Sequence, residues 1–231
     1  MSFEDLGIEL LFRDEDRPNV IRRAVRRCIE IGCATRRNGE SEPVRYLGPS
    51  TDYVYVELLT DEAIGRAGRE HGTILLWFDG IDFTIGAYRG YERLPEACIV
   101  SLSIDSVHLS RSKTDVRANI DRIRSLTVEL YDALEPVFVC GDVLSPVSDQ
   151  DPTVELSVDE LADGRVDSFW WLTGLNPEAV GRLGRKTVAS MPTYSVTECD
   201  DGGMVLILTD RPTQFGDVAE ARRIVQARLG L

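Results

Sequence analysis

Apolar positions along this chain switch between a period of two and a period of 3.6, and the switches mark its elements. Residues 8–12 form a short apolar run that reads as a first strand. Ile21, Ala24, Val25, Cys28 and Ile29 then fall at three- and four-residue steps, the stripe of a helix over about residues 19–31. Pro18 precedes that helix and Gly32 stops it. Residues 35–50 carry Gly39, Pro43, Gly48 and Pro49 and read as a loop. Residues 53–59 alternate as a strand rich in Tyr and Val. Thr60 is placed to cap a short helix over 61–70, with Asp61 and Glu62 near its positive end. Two strands follow, 74–78 and 82–88, around Asp79-Gly80. That dipeptide suits a tight hairpin, because both central residues of a type I′ turn need positive φ. Residues 97–109 read as one long strand, with Val100, Leu102 and Ile104 on one face and Ser101, Ser103 and Asp105 on the other.

The clearest helix comes next. Val116, Ile120, Ile123, Thr127, Leu130 and Leu134 line one face for about five turns. Ser112 and Asp115 have the spacing of a capping box, and Pro136 ends the helix. Residues 137–140 read as a strand. Residues 142–167 carry eight acids against Arg165 alone, are interrupted by Pro146 and Pro152, and read as a linker with one helical turn near 159–162. The last third reads β-α-β-β-α: an aromatic strand over 168–173, a helix capped by Asn176 with Pro177 at its first position, strands over 193–198 and 204–209, and a final helix from Asp217 to Leu229. The fold class expected is α+β, with antiparallel-rich sheet and packed helices in a single domain, 1–231.

One internal similarity divides that domain. Glu62 to Arg69 resembles Glu178 to Arg185, and six of the ten positions from Asp61 and Pro177 are identical. Each copy follows an aromatic strand and precedes two strands and a helix. Two readings follow: related halves over about 50–141 and 166–231, joined by the acidic segment 142–167, or a match of the kind chance produces in a chain of this length. Paired glycines within a helix point to close backbone packing.

Charge changes the picture of the surface. The net charge is −13, from 39 acids and 26 bases. The bases are 24 Arg and two Lys, and the acids 21 Asp and 18 Glu. A surface so rich in Asp and poor in Lys resembles those of proteins working in strong salt, where like charges are screened; a GC-rich genome also favours Arg over Lys. Residues 1–50 are neutral overall, whereas 51–150 carry seventeen acids against nine bases and 151–231 thirteen against eight. This balance argues against a nucleic-acid partner. Arg22, Arg23, Arg26 and Arg27 crowd one helix; they suit an anionic partner or membrane surface, or they are balanced locally by Asp14, Glu15, Asp16 and Glu30. Five cysteines form no Cys-x-x-Cys pair and read as buried thiols in a reducing cytoplasm. The longest apolar runs are of strand length, so no membrane span is expected.

Candidate chemistry is sparse. Metal-ligand spacings, phosphate loops, nucleophile elbows and dinucleotide fingerprints are all missing from the sequence, so neither a cofactor nor a metal is expected. Asp79, Asp82, His108 and Cys140 could furnish a hydrolytic site if the fold gathers three of them at one pocket. Turn chemistry at Asp79 and a packed His108 on its strand, facing away from Asp105, are the plainer readings. Trp170 and Trp171, adjacent on a strand, point to opposite faces and either anchor a partner or pack in the core.

Two stretches carry a family resemblance. Leu126 to Val143 is an amphipathic helix followed by Pro136, an aromatic residue and Gly141. Residues 169–209 hold Phe169-Trp170-Trp171, Asn176-Pro177, Pro192, Tyr194 and Gly202-Gly203 before a last strand. Together, over roughly residues 95–210, they resemble the immunity protein 52 group and its relatives. The resemblance implies a cytoplasmic, non-enzymatic module that neutralises a cognate toxin by binding it. A carboxylate-rich face would be steered towards the basic cleft of a toxin that acts on nucleic acid. On that reading the contact residues are Asp149, Asp151, Asp159, Glu160, Trp170 and Trp171. A scaffold protein and a hydrolase are the other two expectations.

Overall fold

The computed structural model describes residues 5–13, 16–36, 42–90, 94–109, 115–144 and 155–231. Among them are ten strands and seven α-helices. The strands are β1 (Asp5–Phe12), β2 (Val44–Leu47), β3 (Val56–Leu58), β4 (Thr73–Phe78), β5 (Ile81–Arg89), β6 (Cys98–Asp105), β7 (Phe138–Leu144), β8 (Leu172–Leu175), β9 (Ser195–Glu198) and β10 (Met204–Ile207). The helices are α1 (Arg17–Glu30), α2 (Thr60–Arg69), α3 (Val116–Leu134), α4 (Val158–Ala162), α5 (Pro177–Leu183), α6 (Arg185–Ala189) and α7 (Phe215–Leu229). All ten strands form one open sheet in the order β3-β2-β4-β5-β6-β1-β7-β8-β10-β9, and its strand pairs are antiparallel. The α+β class is therefore as expected.

Alternation along β1 sets the two layers. Leu6, Ile8, Leu10 and Phe12 enter a core shared with Val20, Ile21, Ala24, Val25 and Cys28 of α1, Ala63, Ile64 and Ala67 of α2, and Ile120 through Leu134 of α3. Leu11 points the other way, into a second core with Ile99, Phe138, Val158, Leu161, Ala179, Val180, Met204 and Leu206. Val158 and Leu161 of α4, Ala179 and Val180 of α5 and Val188 of α6 supply the helical side of this second core. Val218 of α7 joins the first core and Val225 the second.

Several local expectations are met for the stated reason. The β4–β5 hairpin pairs Phe78 with Ile81, and both Asp79 (φ 46°) and Gly80 (φ 88°) are left-handed, as a type I′ turn requires. Asn176 Oδ1 accepts the Ala179 N–H at 2.8 Å and caps α5, with Pro177 in its first turn.

Others are corrected. A strand, β2, lies inside the segment read as a loop. The strand read over 53–59 shrinks to β3, because Asp52 (φ 50°) and Tyr53 (φ 57°) turn the chain. Leu59, not Thr60, occupies the cap position of α2. Asp115 is itself the cap of α3, accepting the Ala118 N–H at 3.3 Å; Ser112 lies outside the described residues. The long strand over 97–109 ends at Asp105, whose Oδ1 accepts the Val107 N–H at 2.8 Å, and a 3₁₀ turn, Ser106–Leu109, follows. Such a side-chain-to-backbone bond gives the chain an alternative to the ladder.

The arginines of α1 find distant partners more than local ones. Arg23 donates to the carbonyls of Ala133 and Leu134 at the end of α3, Arg27 pairs with Glu129 at 2.5 Å as well as with Glu30, and Arg26 lies 3.6 Å from Asp61.

One sheet runs through both of the halves suggested by the internal similarity, and their strands enter it differently: β8 pairs with β10, whereas β3 pairs with β2. The matched glycines also differ in role. A Cβ on Gly68 would stand 2.8 Å from Pro18 Cα, so Gly68 lets α1 and α2 approach closely. Gly184 (φ 87°) ends α5. Of the acidic segment, 142–144 belong to β7, 158–162 form α4, and 145–154 lie outside the described residues.

Candidate functional site

Away from the second core, the second face of the sheet carries half-buried polar side chains on β4, β5, β6 and the start of β1. Register places its side chains. Asp5 lies opposite Asp105, and Glu9 opposite Ser101. Thr84 lies opposite Ser103 and Gly86 opposite Ser101. Leu75 lies opposite Thr84, and Trp77 opposite Asp82. The buried partners of these residues, such as Leu102, Ile104, Phe83 and Ile85, serve the first core. The alternation first seen in β6 is thus a true two-sided pattern, apolar inward and hydroxyl or carboxylate outward.

Three adjoining hollows make a furrow across this face. The middle one, about 290 Å³, is lined by Asp5, Tyr55, Thr73, Asp82, Ser103 and Asp105 among others. It shares Thr73, Thr84 and Ser103 with a second of about 280 Å³ that runs to His71, Tyr88 and Arg89. It shares Asp82 with a third of about 490 Å³ at the hairpin, lined also by Arg36, Trp77, Asp79 and His108.

Hydroxyls hold the carboxylates in place. Ser103 Oγ donates to Asp5 Oδ2 at 3.1 Å, and the Tyr88 hydroxyl donates to Glu9. The Arg45 guanidinium lies 5.3 Å from the Tyr55 ring centre. Burial raises the Tyr55 hydroxyl pKa and the Asp82 charge adds to the rise, while Arg45 opposes it.

The hairpin end is braced by a network. His108 Nε2 lies 2.8 Å from Asp82 Oδ1. The His108 carbonyl accepts from Asn119 Nδ2 at 2.8 Å, Asn119 Oδ1 accepts from Arg122 Nη1 at 2.8 Å, and Arg122 Nε donates to Asp79 Oδ2 at 2.5 Å. His108 was expected on a strand; the 3₁₀ turn after Asp105 carries it to Asp82 instead. Three of the four residues named for a hydrolytic site, Asp79, Asp82 and His108, therefore line one hollow. Among the described residues, that hollow's lining holds no Ser, Thr or Cys. The arrangement can orient an imidazole and present carboxylates to a cation.

Cys140 lies apart, in the second core. Burial, then the charges of Glu9 and Asp142, pushes its thiol well above the ordinary range. Burial, then Asp132 and Asp201, pushes Cys199 up to about 12. The thiolate is the reactive form, so both thiols are expected to resist iodoacetamide at mildly alkaline pH in the native protein and to react once it is unfolded. Mass spectrometry of pulse-labelled protein checks this; native labelling of Cys140 at the rate of a free thiol would contradict its placement.

The residues first named for partner contact are scattered. Asp149 and Asp151 lie outside the described residues. Asp159 on α4 pairs with Arg13 at 2.8 Å, and Glu160 caps the same helix through Ser157 and pairs with Arg165. Hydrogen bonds from Ser157 lower the Glu160 pKa, with Arg165 adding to the effect. Trp170 and Trp171 do not offer their rings to a partner in this structure: they are 5% and 0% exposed and belong to the second and first cores respectively. Trp170 stacks edge-on against Phe138, with centres 5.4 Å apart, and Trp171 Nε1 donates to the Thr209 carbonyl at 2.8 Å. The furrow is not legible along the chain because its residues come from five strands and the turns between them; its signal is the hydroxyl-and-acid face of β6.

No family model matches the chain, and no curated protein matches it. Among solved structures it is similar to the Pseudomonas aeruginosa T6SS protein PA0821, with a TM-score of 0.56 and 14% identity over 98% of this chain and 72% of that one. At that identity the likeness is one of fold. Among the described residues, no helix is long and apolar enough to cross a membrane, and no group of three or more His, Cys, Asp or Glu side chains is placed to hold a metal ion.

Proposed function

We propose that this chain is a non-enzymatic protein-binding module of the immunity type, which neutralises a toxin domain by seating a cationic segment of it in the furrow. The observation that carries this reading is the polar furrow on the sheet's second face, whose carboxylates Asp5, Asp82 and Asp105 are pre-positioned around one hollow. Pre-positioned charges lose little freedom on binding and steer a basic partner. The likeness in fold to a T6SS protein, the net charge of −13 and the resemblance to the immunity protein 52 group support it.

The test recovers the products of the neighbouring genes that co-purify with the chain and measures its affinity for a toxin domain among them. Thr84→Arg with Ser101→Arg fills the floor of the furrow and offsets most of its negative charge. Affinity is expected to fall on the order of thirtyfold or more, as for loss of a binding hot spot. Reversal of Asp149, Asp151, Asp159 and Glu160 to lysine is the comparison. Undiminished binding by the folded furrow variant, with loss in the second variant, would move the contact to the acidic segment. A hydrolase reading draws on the Asp82–His108 pair; substrate turnover abolished by His108→Gln would favour it.

A further inference from the structure

Two of the five buried thiols meet where α1 ends. Cys28 stands in the last turn of α1, and Cys33 lies three residues beyond the helix. Both belong to the first core, and they are 0% and 4% exposed. The chain leaves the helix through Gly32, whose φ is 93°. The Cys33 N–H donates to the Cys28 carbonyl at 2.9 Å, and the Gly32 N–H donates to the Ile29 carbonyl at 3.0 Å. These nested bonds are the Schellman ending of a helix, which presses the side chain after the glycine against one in the last turn. An apolar pair commonly fills that contact. Here Cys28 and Cys33 fill it.

The contact suits a covalent bond. A disulfide needs its Cα atoms about 4.4–6.8 Å apart, and a carbonyl bonded directly to the other residue's N–H meets that need. The Cys28 thiol donates a hydrogen bond to Cys33, which together with burial holds the Cys28 pKa well above the ordinary range. Cys28 is therefore the member that keeps its proton. Cys33 is the member nearer solvent. Its neighbours Gly32 and Ala34 both line the 490 Å³ hollow at the hairpin, beside Arg36 and Trp77. Ala34 is also tied to β4, exchanging hydrogen bonds with Trp77 at 2.8 Å in both directions.

We propose that Cys28 and Cys33 are a redox couple, which a peroxide closes to a disulfide that clasps the end of α1 and, through Ala34, the wall of the hollow. Cys33, as thiolate, attacks one oxygen of the peroxide. An S–O bond forms, the O–O bond breaks, and the departing hydroxide takes up the proton Cys33 gave to solvent. Cys28 Sγ then attacks the Cys33 sulfur. The S–S bond forms, the S–O bond breaks, and the hydroxyl leaves as water with the Cys28 proton. The two sulfurs lose two electrons and hydrogen peroxide becomes two waters.

The experiment treats the reduced full chain with hydrogen peroxide, then unfolds it, alkylates it with N-ethylmaleimide and digests it with trypsin. Cleavage after Arg27 and Arg36 leaves both cysteines in one peptide, residues 28–36. That peptide is expected two hydrogens lighter and unalkylated, forming about tenfold faster or more than any change at Cys98, Cys140 or Cys199. Dithiothreitol should restore its alkylation. In the oxidised chain, exchange of the Gly32, Cys33 and Ala34 amides is expected to slow about tenfold or more. Dimedone, which captures sulfenic acids, is expected to label Cys33 in a Cys28→Ser chain shown to be folded by circular dichroism. Full alkylation of the 28–36 peptide after peroxide, oxidation of Cys140 at the same rate, a bridge from either thiol to another cysteine, unchanged amide exchange, or no dimedone on Cys33 in that variant would each overturn the proposal.

Discussion

Trp171→Ala is expected to lower the unfolding free energy by about 3–5 kcal/mol, the usual cost of removing a large buried ring. Trp171 is fully buried in the core that also holds Leu134, Val205 and Ile207. Its Nε1–H satisfies the Thr209 carbonyl, just beyond β10. The alanine variant therefore opens a cavity and leaves an acceptor without its donor. Trp171→Phe keeps most of the volume and isolates the second effect, expected at about 1–3 kcal/mol. Urea unfolding measures both: the midpoint should fall while the slope holds. A loss below about 1 kcal/mol for the alanine variant would show that the site collapses around the missing ring.

The second large effect is electrostatic. Arg222 of α7 reaches Asp142 of β7, Nη2 to Oδ2 at 2.6 Å, and the two side chains are only 17% and 13% exposed. Removing one member takes from the other its oppositely charged neighbour in a poorly solvated place. Arg222→Ala is expected to cost about 3–5 kcal/mol, whereas the double variant Arg222→Ala, Asp142→Ala costs markedly less than the sum of the singles. Additive losses would mean that the two charges do not stabilise each other. The exposed pairs elsewhere, such as Arg13–Asp159 or Arg223–Glu220, should give changes near zero by the same measurement.

Legibility followed the range of the interaction that decides each feature. The stripe of α3, the Asp79-Gly80 turn and the Asn176 cap are settled within a few residues, and each could be read directly. β2 could not: four residues between Pro43 and Gly48 become a strand because β3 and β4 flank them. The end of β6 turned on one side chain, Asp105, bonding its own backbone two residues on. That bond also moved His108 to Asp82 and so reshaped the candidate site. The furrow needs Asp5, Thr73, Asp82 and Ser103 side by side, and only strand order brings them there. Tyr53, Val54 and Tyr55 alternate in a way that argues for burial in a strand; the left-handed turn at Asp52 and Tyr53 places them outside.

β1 is seated between two strands made much later than itself. β1 pairs with β6 on one side and β7 on the other, joining Asp5 to Asp105 and to Leu144. At a synthesis rate of about 5–20 residues per second, β1 waits several seconds on the ribosome for its first neighbour and longer for its second. During that time Leu6, Ile8, Leu10 and Leu11 have no sheet to enter. Nascent chains stalled before β6 emerges should accordingly expose an apolar segment that a chaperone can hold, and chains stalled beyond β7 should not.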